Sequence, residues 1–419
     1  MFEYTNGEMC AEDVALSVIA AEVGTPAYVY SCGAFESRFH EFETALAGSN
    51  YLICYAMKAN SNQAVLQLLA GLGAGFDAVS GGEVARAVAA GVQGKRIVFS
   101  GVGKSRDELS RALDAGVCQF NVESEAELAI LNEIACSKGR VAPIAIRVNP
   151  NIDAGTHSKI STGKADNKFG IPISRVREVY QNAACLDGVR IEGLDMHIGS
   201  QLTDLAPYRQ AFNTAGDLVR MLRGDGHAID RLDLGGGLGI DYQGDADATP
   251  TAAEYCALVR QCTAELGCEI VIEPGRYISG HSGILLTEVI IVKEGESRTF
   301  VVVDAAMNDL LRPAMYGAFH RIEPVIAPQD GATLMPCDIV GPVCESSDTF
   351  AMQRQMPQVD VGQLLVIQGA GAYGAVMASE YNTRPLVPEV LVRGSRFAVI
   401  RHRPSIDDII ARDRIPSWL

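Results

Sequence analysis

Between about residue 50 and residue 275 of this 419-residue chain, eight short apolar runs alternate with segments of helical period. The predicted strands are 52–57, 75–79, 96–99, 118–122, 143–148, 191–196, 231–234 and 269–272. The predicted helices between them include 61–72, 82–90, 124–137, 205–223 and 252–266. Eight strand-plus-helix units over roughly 230 residues fit a (β/α)8 TIM barrel better than an open doubly wound sheet. After about residue 282 the texture changes to β-rich runs at 283–292, 299–304, 364–368 and 395–400, separated by Pro and Gly turns. These runs predict a second, mostly antiparallel β domain, a sandwich or barrel. The strand-like segment 26–30 precedes the barrel and is expected to pair into that sheet. The expected domains are therefore a barrel at 31–282 and a β domain made of 1–30 and 283–419. The polar stretch 149–170 reads either as a mobile lid or as a surface loop with no gating role.

In barrel enzymes the chemistry lies where strands end and βα loops begin. Those positions hold Lys58, Asp77, Ser100, Glu123, Asn149, His197, Gly235-Gly-Gly237 and Glu273. Lys58 ends an apolar run that reads as a strand buried on both faces. Alone it has two readings: a lysine snorkelling out of a strand end, or a partly desolvated amine able to form a Schiff base. The segment Asp233-Leu-Gly-Gly-Gly-Leu-Gly239 is either a tight βα turn or a cradle presenting N–H groups to a phosphate. Glu273-Pro-Gly-Arg276 sets a carboxylate at a strand end, with a cation three residues later. His197 reads as a structural histidine or as a flat stacking partner. Taken together, a lysine, a carboxylate for a ring nitrogen, a stacking imidazole and two phosphate cradles describe a pyridoxal phosphate site.

The remaining composition narrows the partners. A net charge of −16 argues against nucleic acid or an anionic membrane surface. The N-terminus lacks the basic start and apolar core of a signal peptide, and no apolar run is long enough to span a bilayer. Eleven cysteines without paired spacing do not make a disulfide framework, and no Cys-x-x-Cys or His-Glu-x-x-His pattern suggests a metal. The expectation is a cytoplasmic protein with reduced thiols and no metal.

Tyr55-Ala-Met-Lys-Ala-Asn60, Phe76-Asp-Ala-Val-Ser80, His197-Ile-Gly-Ser-Gln201, Gly235-Gly-Gly-Leu-Gly239 and Glu273-Pro-Gly-Arg276 resemble, in this order, the fold-type III pyridoxal phosphate decarboxylases. The resemblance continues through the 307–317 segment, Met307 to Gly317, then Cys344-Glu-Ser-Ser-Asp348 and Gly371-Ala-Tyr-Gly374. These last three are the specific ones, since the first group is shared with ornithine and arginine decarboxylases. The resemblance implies decarboxylation of meso-2,6-diaminopimelate to L-lysine, with a sister activity on ornithine, arginine or carboxynorspermidine as the alternative. It implies that Lys58 carries the cofactor, His197 stacks on its ring and Glu273 keeps the ring nitrogen protonated. Asp77 joins the cofactor set. Gly237, Gly275, Arg276 and Tyr373 would anchor the phosphate, with Ser200 nearby. Arg276, Arg312 and Tyr316 would bind the carboxylate at the substrate's far end and Glu345 its far ammonium group, with Tyr373 also in the substrate-binding set. Cys344 would donate the proton to the carbon that loses its carboxylate. The family works as a homodimer in which Cys344 and Glu345 reach in from the partner subunit. Ser347 and Ala306 stand where the family more often has glycine, which touches geometry without removing a functional group.

Overall fold

The structure, a computed structural model, describes residues 1–153, 162–163, 167–244 and 249–419. Half of the polar stretch 149–170, read as a lid or as a loop with no gating role, lies outside the described residues. Two compact units are present: one of Glu36–Asp241 and Ala246–Ile278, the other of Met1–Phe35, Tyr242–Asp245 and Ser279–Leu419.

The first unit is a closed parallel barrel. Its strands are β1 (Tyr51–Ala56), β2 (Gly75–Ala78), β3 (Ile97–Phe99), β4 (Gln119–Val122), β5 (Ala142–Asn149), β6 (Val189–Asp195), β7 (Arg231–Asp233) and β8 (Glu269–Ile272). Neighbours pair in sequence order, and β8 pairs β1 through Ile270↔Tyr51, Val271↔Leu52 and Ile272↔Ile53, so the sheet has no open edge. All eight predicted strands are present, with ends shifted by at most two residues and the eighth matching residue for residue. The largest shift is at β6, which begins two residues early and carries a bulge between Ile191 and Gly193.

Side-chain caps set where several βα loops end. The hydroxyl of Ser80 accepts from Glu83 N, Ser105 from Glu108 N, Ser124 from Glu127 N and Thr251 from Glu254 N. Each such cap contributes about 1 kcal/mol to starting its helix. It also holds the end of a loop that carries functional groups.

In the second unit, Gly283–Glu294 is the central strand. Its first half pairs antiparallel with Ala27–Ser31 on one side and with Leu364–Ile367 on the other. Its second half pairs with Thr299–Val303. The segment Ala27–Ser31 joins this sheet as expected and pairs parallel with Glu389–Arg393 on its far side. A hairpin of Leu334–Val340 and Thr349–Pro357, absent from the predicted strands, extends the sheet. Burial of Val29, Ile284, Leu286, Val366, Val390 and Val392 forms the core of this unit. Among the described residues no helix is long and apolar enough to cross a membrane, no acidic or His/Cys cluster is arranged to hold a metal, and none of the eleven cysteines forms a disulfide.

Candidate active site

Lys58 lies in a single 3-10 turn, Met57–Ala59, that continues β1. Its Nζ donates to Asp77 Oδ2 at 2.6 Å, and its side chain is 36% accessible while that of Asp77 is fully buried. Where the sequence suggested a partly desolvated amine, the structure gives an ion pair whose head remains reachable. The other carboxylate oxygen, Asp77 Oδ1, is buried and has no hydrogen-bond partner among the described residues.

Glu273 follows β8 and is also buried, with Oε1 lacking a partner among the described residues. Burial pushes its carboxyl well above the ordinary value. Asp233 and Asp77 raise it further, and Lys58 and Arg147 pull against them. An orphaned buried acceptor is costly, about 1–3 kcal/mol, and asks for a donor.

His197 keeps some accessible surface, although packing desolvates its nitrogens. Burial holds its imidazole well below the ordinary value, with Arg147 and Lys58 adding to the effect. Gly236 N donates to His197 Nδ1 at 3.3 Å, which puts the ring proton of the neutral imidazole on Nε2. The loop after β7 must come this close. A Cβ on Gly235 would lie 2.6 Å from His197 Nδ1, and one on Gly236 would lie 2.1 Å from the Glu273 carbonyl oxygen. Gly237, at φ +104°, packs against the Gly199 carbonyl oxygen in the same way. A Cβ on Gly275 would meet the Cβ atoms of Ala56 and Ala59, on either side of Lys58. Arg276, buried, donates through Nη2 to Ser200 Oγ at 3.1 Å. In the barrel unit, then, Lys58, Asp77, His197, Ser200, Gly237, Glu273, Gly275 and Arg276 gather at the ends of β1, β2, β6, β7 and β8.

Three strand-end residues serve as supports. Ser100 Oγ accepts from Asn121 Nδ2 at 3.1 Å, and Asn149 Nδ2 donates to the Phe169 carbonyl at 3.1 Å. Glu123 takes Arg147 Nη1 at 2.9 Å and the Gly101 N–H at 3.0 Å. Arg147 and Asp195 are buried charges the sequence reading missed, because both sit inside runs read as apolar strands. Their charges lie 3.8 Å apart. Asp233 is likewise buried, held by Gln119 Nε2, Asn121 Nδ2 and Gly235 N. Burial pushes Asp195 and Asp233 upward too.

The second unit carries the rest of the expected set. Arg312 is buried at the start of a short helix, Arg312–Tyr316, and donates to His320. Tyr316, at the end of that helix, is half-buried, as is Tyr373, whose φ is +55°. Cys344 and Glu345 are both exposed, so Cys344 is not a packing residue of the core. Tyr381 OH donates to Glu345 Oε1 at 2.7 Å. The loop bearing them is tied from below by Asp348. Its Oδ2 accepts from Val343 N at 2.7 Å, and its Oδ1 from Met307 N at 2.6 Å. The aspartate of this motif thus acts as a clamp on the loop backbone.

The barrel donor set fits pyridoxal phosphate: a lysine with a partly accessible side chain, a buried carboxyl with an unpartnered oxygen, a flat neutral imidazole, and close-packed glycine turns beside them. Residues 32–280 match the family described as pyridoxal-dependent decarboxylase, pyridoxal binding domain. The whole chain is 45% identical to a diaminopimelate decarboxylase of Zymomonas mobilis, over 99% of that protein. The diaminopimelate decarboxylase of Helicobacter pylori, solved in complex with L-lysine, superposes with a TM-score of 0.91 at 40% identity, over 95% of this chain and 98% of that one. That of M. jannaschii, also with L-lysine, gives 0.94 at 36% identity, over 100% and 98% of the two chains. By this match over residues 32–280 and these full-length likenesses, the chain belongs to the pyridoxal-dependent decarboxylases, in the diaminopimelate decarboxylase family.

Proposed function

We propose that the protein decarboxylates meso-2,6-diaminopimelate to L-lysine and carbon dioxide with pyridoxal 5'-phosphate as cofactor, in the cytoplasm. The full-length likeness to enzymes of that name carries the reading. When bound, the cofactor supplies an electron sink for the pair left behind as carbon dioxide departs. Lys58 Nζ is the amine that holds it, and Asp77 steadies that amine when it is free. Glu273 holds the proton of the ring nitrogen, which gives its unpartnered oxygen a donor. Neutral His197 offers a flat face without adding positive charge. Gly237, Gly275, Arg276, Ser200 and Tyr373 take the phosphate.

At the substrate's far end, Arg312 and Arg276 receive the carboxylate, with Tyr316 and Tyr373 alongside, and Glu345 pairs with the ammonium group. A substrate such as ornithine, with a distal amine and no distal carboxylate, has no use for Arg312. Cys344 Sγ delivers a proton to the carbon that has lost its carboxylate. Cys344 and Glu345 act from the partner subunit of a homodimer, consistent with their exposure in the single chain.

The test is product analysis with purified protein, added cofactor and a panel of meso-diaminopimelate, ornithine, arginine and carboxynorspermidine. Lysine and carbon dioxide from diaminopimelate alone are expected. Turnover of another substrate with diaminopimelate inert would assign the sister activity.

A further inference from the structure

Arg312 does not hold its own position. His320, eight residues along the chain and fully buried, places Nε2 2.7 Å from Arg312 Nη1 and Nδ1 2.8 Å from the Gln368 carbonyl oxygen. A carbonyl only accepts, so Nδ1 carries the hydrogen. A guanidinium only donates, so Nε2 presents its lone pair. One neutral tautomer meets both demands, and no other protonation state does. Gln368 is itself fixed, its N–H donating to the Arg321 carbonyl at 2.8 Å and its side chain to Glu323 Oε2 at 3.3 Å. On the face of the guanidinium, Arg312 Cζ lies 4.4 Å from the Tyr242 ring centroid, within cation–π range. The Tyr242 and His320 rings meet edge to face, 5.1 Å apart at 69°. One edge and one face of the guanidinium are thereby set by two residues that nothing in the motif reading singled out.

We propose that His320 and Tyr242 are positioning residues that fix the plane of Arg312, and that selection of a substrate with a distal carboxylate depends on them. A guanidinium fork recognises a carboxylate bidentately only when its plane is held; a mobile one acts as a diffuse charge. The inference rests on the reading of Arg312 as the carboxylate receptor.

The experiment compares L-lysine, which keeps a carboxylate, with cadaverine, which has none, as inhibitors of the holoenzyme, alongside KM and kcat. In His320→Leu the lysine inhibition constant and KM are expected to rise about tenfold or more. The cadaverine constant should stay within about twofold and kcat should change less than KM. His320→Gln, which can restore an acceptor near Nε2, should recover lysine binding to within about threefold of wild type. If His320→Leu does not fold, Tyr242→Leu gives the same comparison. Equal weakening of both ligands, or unchanged lysine binding in the folded variant, overturns the proposal. Arg312→Leu separates the two ideas. If it spares lysine relative to cadaverine, the receptor reading itself fails. If it weakens lysine while the His320 and Tyr242 variants do not, only the positioning role fails.

Discussion

Glu273 is a carboxyl whose burial favours the protonated form, whereas the function proposed above asks it to serve as an anion beside a protonated ring nitrogen. The sign of the linkage follows. Its folded pKa is raised, so between the unfolded and folded values the folded state binds more protons. Its contribution to stability is whole below the unfolded value, about 4.3, and is lost as pH rises through the folded one. Cofactor-free protein should therefore be strained at alkaline pH. We expect Glu273→Gln to raise the melting temperature of the cofactor-free protein by about 2 °C or more at pH 8, with the gain closing toward pH 4. The same change should lower kcat of the loaded enzyme by about a hundredfold or more. Equal melting temperatures at pH 8 would show that the buried carboxyl carries no such cost.

Among the elements, the loop Gly341–Asp348 shows how a motif divides its labour. Cys344 and Glu345 are presented outward, while Asp348 turns inward and satisfies two backbone N–H groups. Asp348→Ala orphans both donors and should destabilise this unit by about 2–4 kcal/mol in urea unfolding. It should also lower kcat without changing cofactor affinity, since the cofactor residues other than Tyr373 belong to the barrel unit. A loss of cofactor binding as large as the loss in kcat would contradict that division. The barrel strands and the residues at their ends were legible because a parallel strand buried on both faces is a short apolar run that stops at a polar residue. Arg147 and Asp195 were hidden inside such runs, where pairing and not periodicity makes a buried charge tolerable. His320 and Tyr242 were hidden differently. Their partnership spans 78 positions of chain and rests on a tautomer and a ring face, neither of which leaves a pattern in sequence. The hairpin Leu334–Val340 with Thr349–Pro357 left no apolar alternation to read, because burial along its two strands is irregular and the first three residues of Leu334–Val340 are exposed.

For the whole molecule, the proposed division of the site between Lys58 of one subunit and Cys344 of another sets up a test of assembly. Mixing Lys58→Ala with Cys344→Ala protein, each inactive, should restore about a quarter of wild-type activity if a dimer pools one residue from each subunit. Recovery of none would place both groups in one chain. The strand Ala27–Ser31 has a further consequence, one of time. Tyr30 OH donates to Glu389, 359 residues later in the chain, and Ala27–Ser31 pairs with Glu389–Arg393. At roughly 5–20 residues per second, that strand waits about 20–70 s for its neighbour to be made. The barrel sequence is complete well before then. During translation the nascent protein passes through a stage in which the barrel can close while the strand Ala27–Ser31 stays unpaired on that edge, the interval in which a chaperone has most to protect.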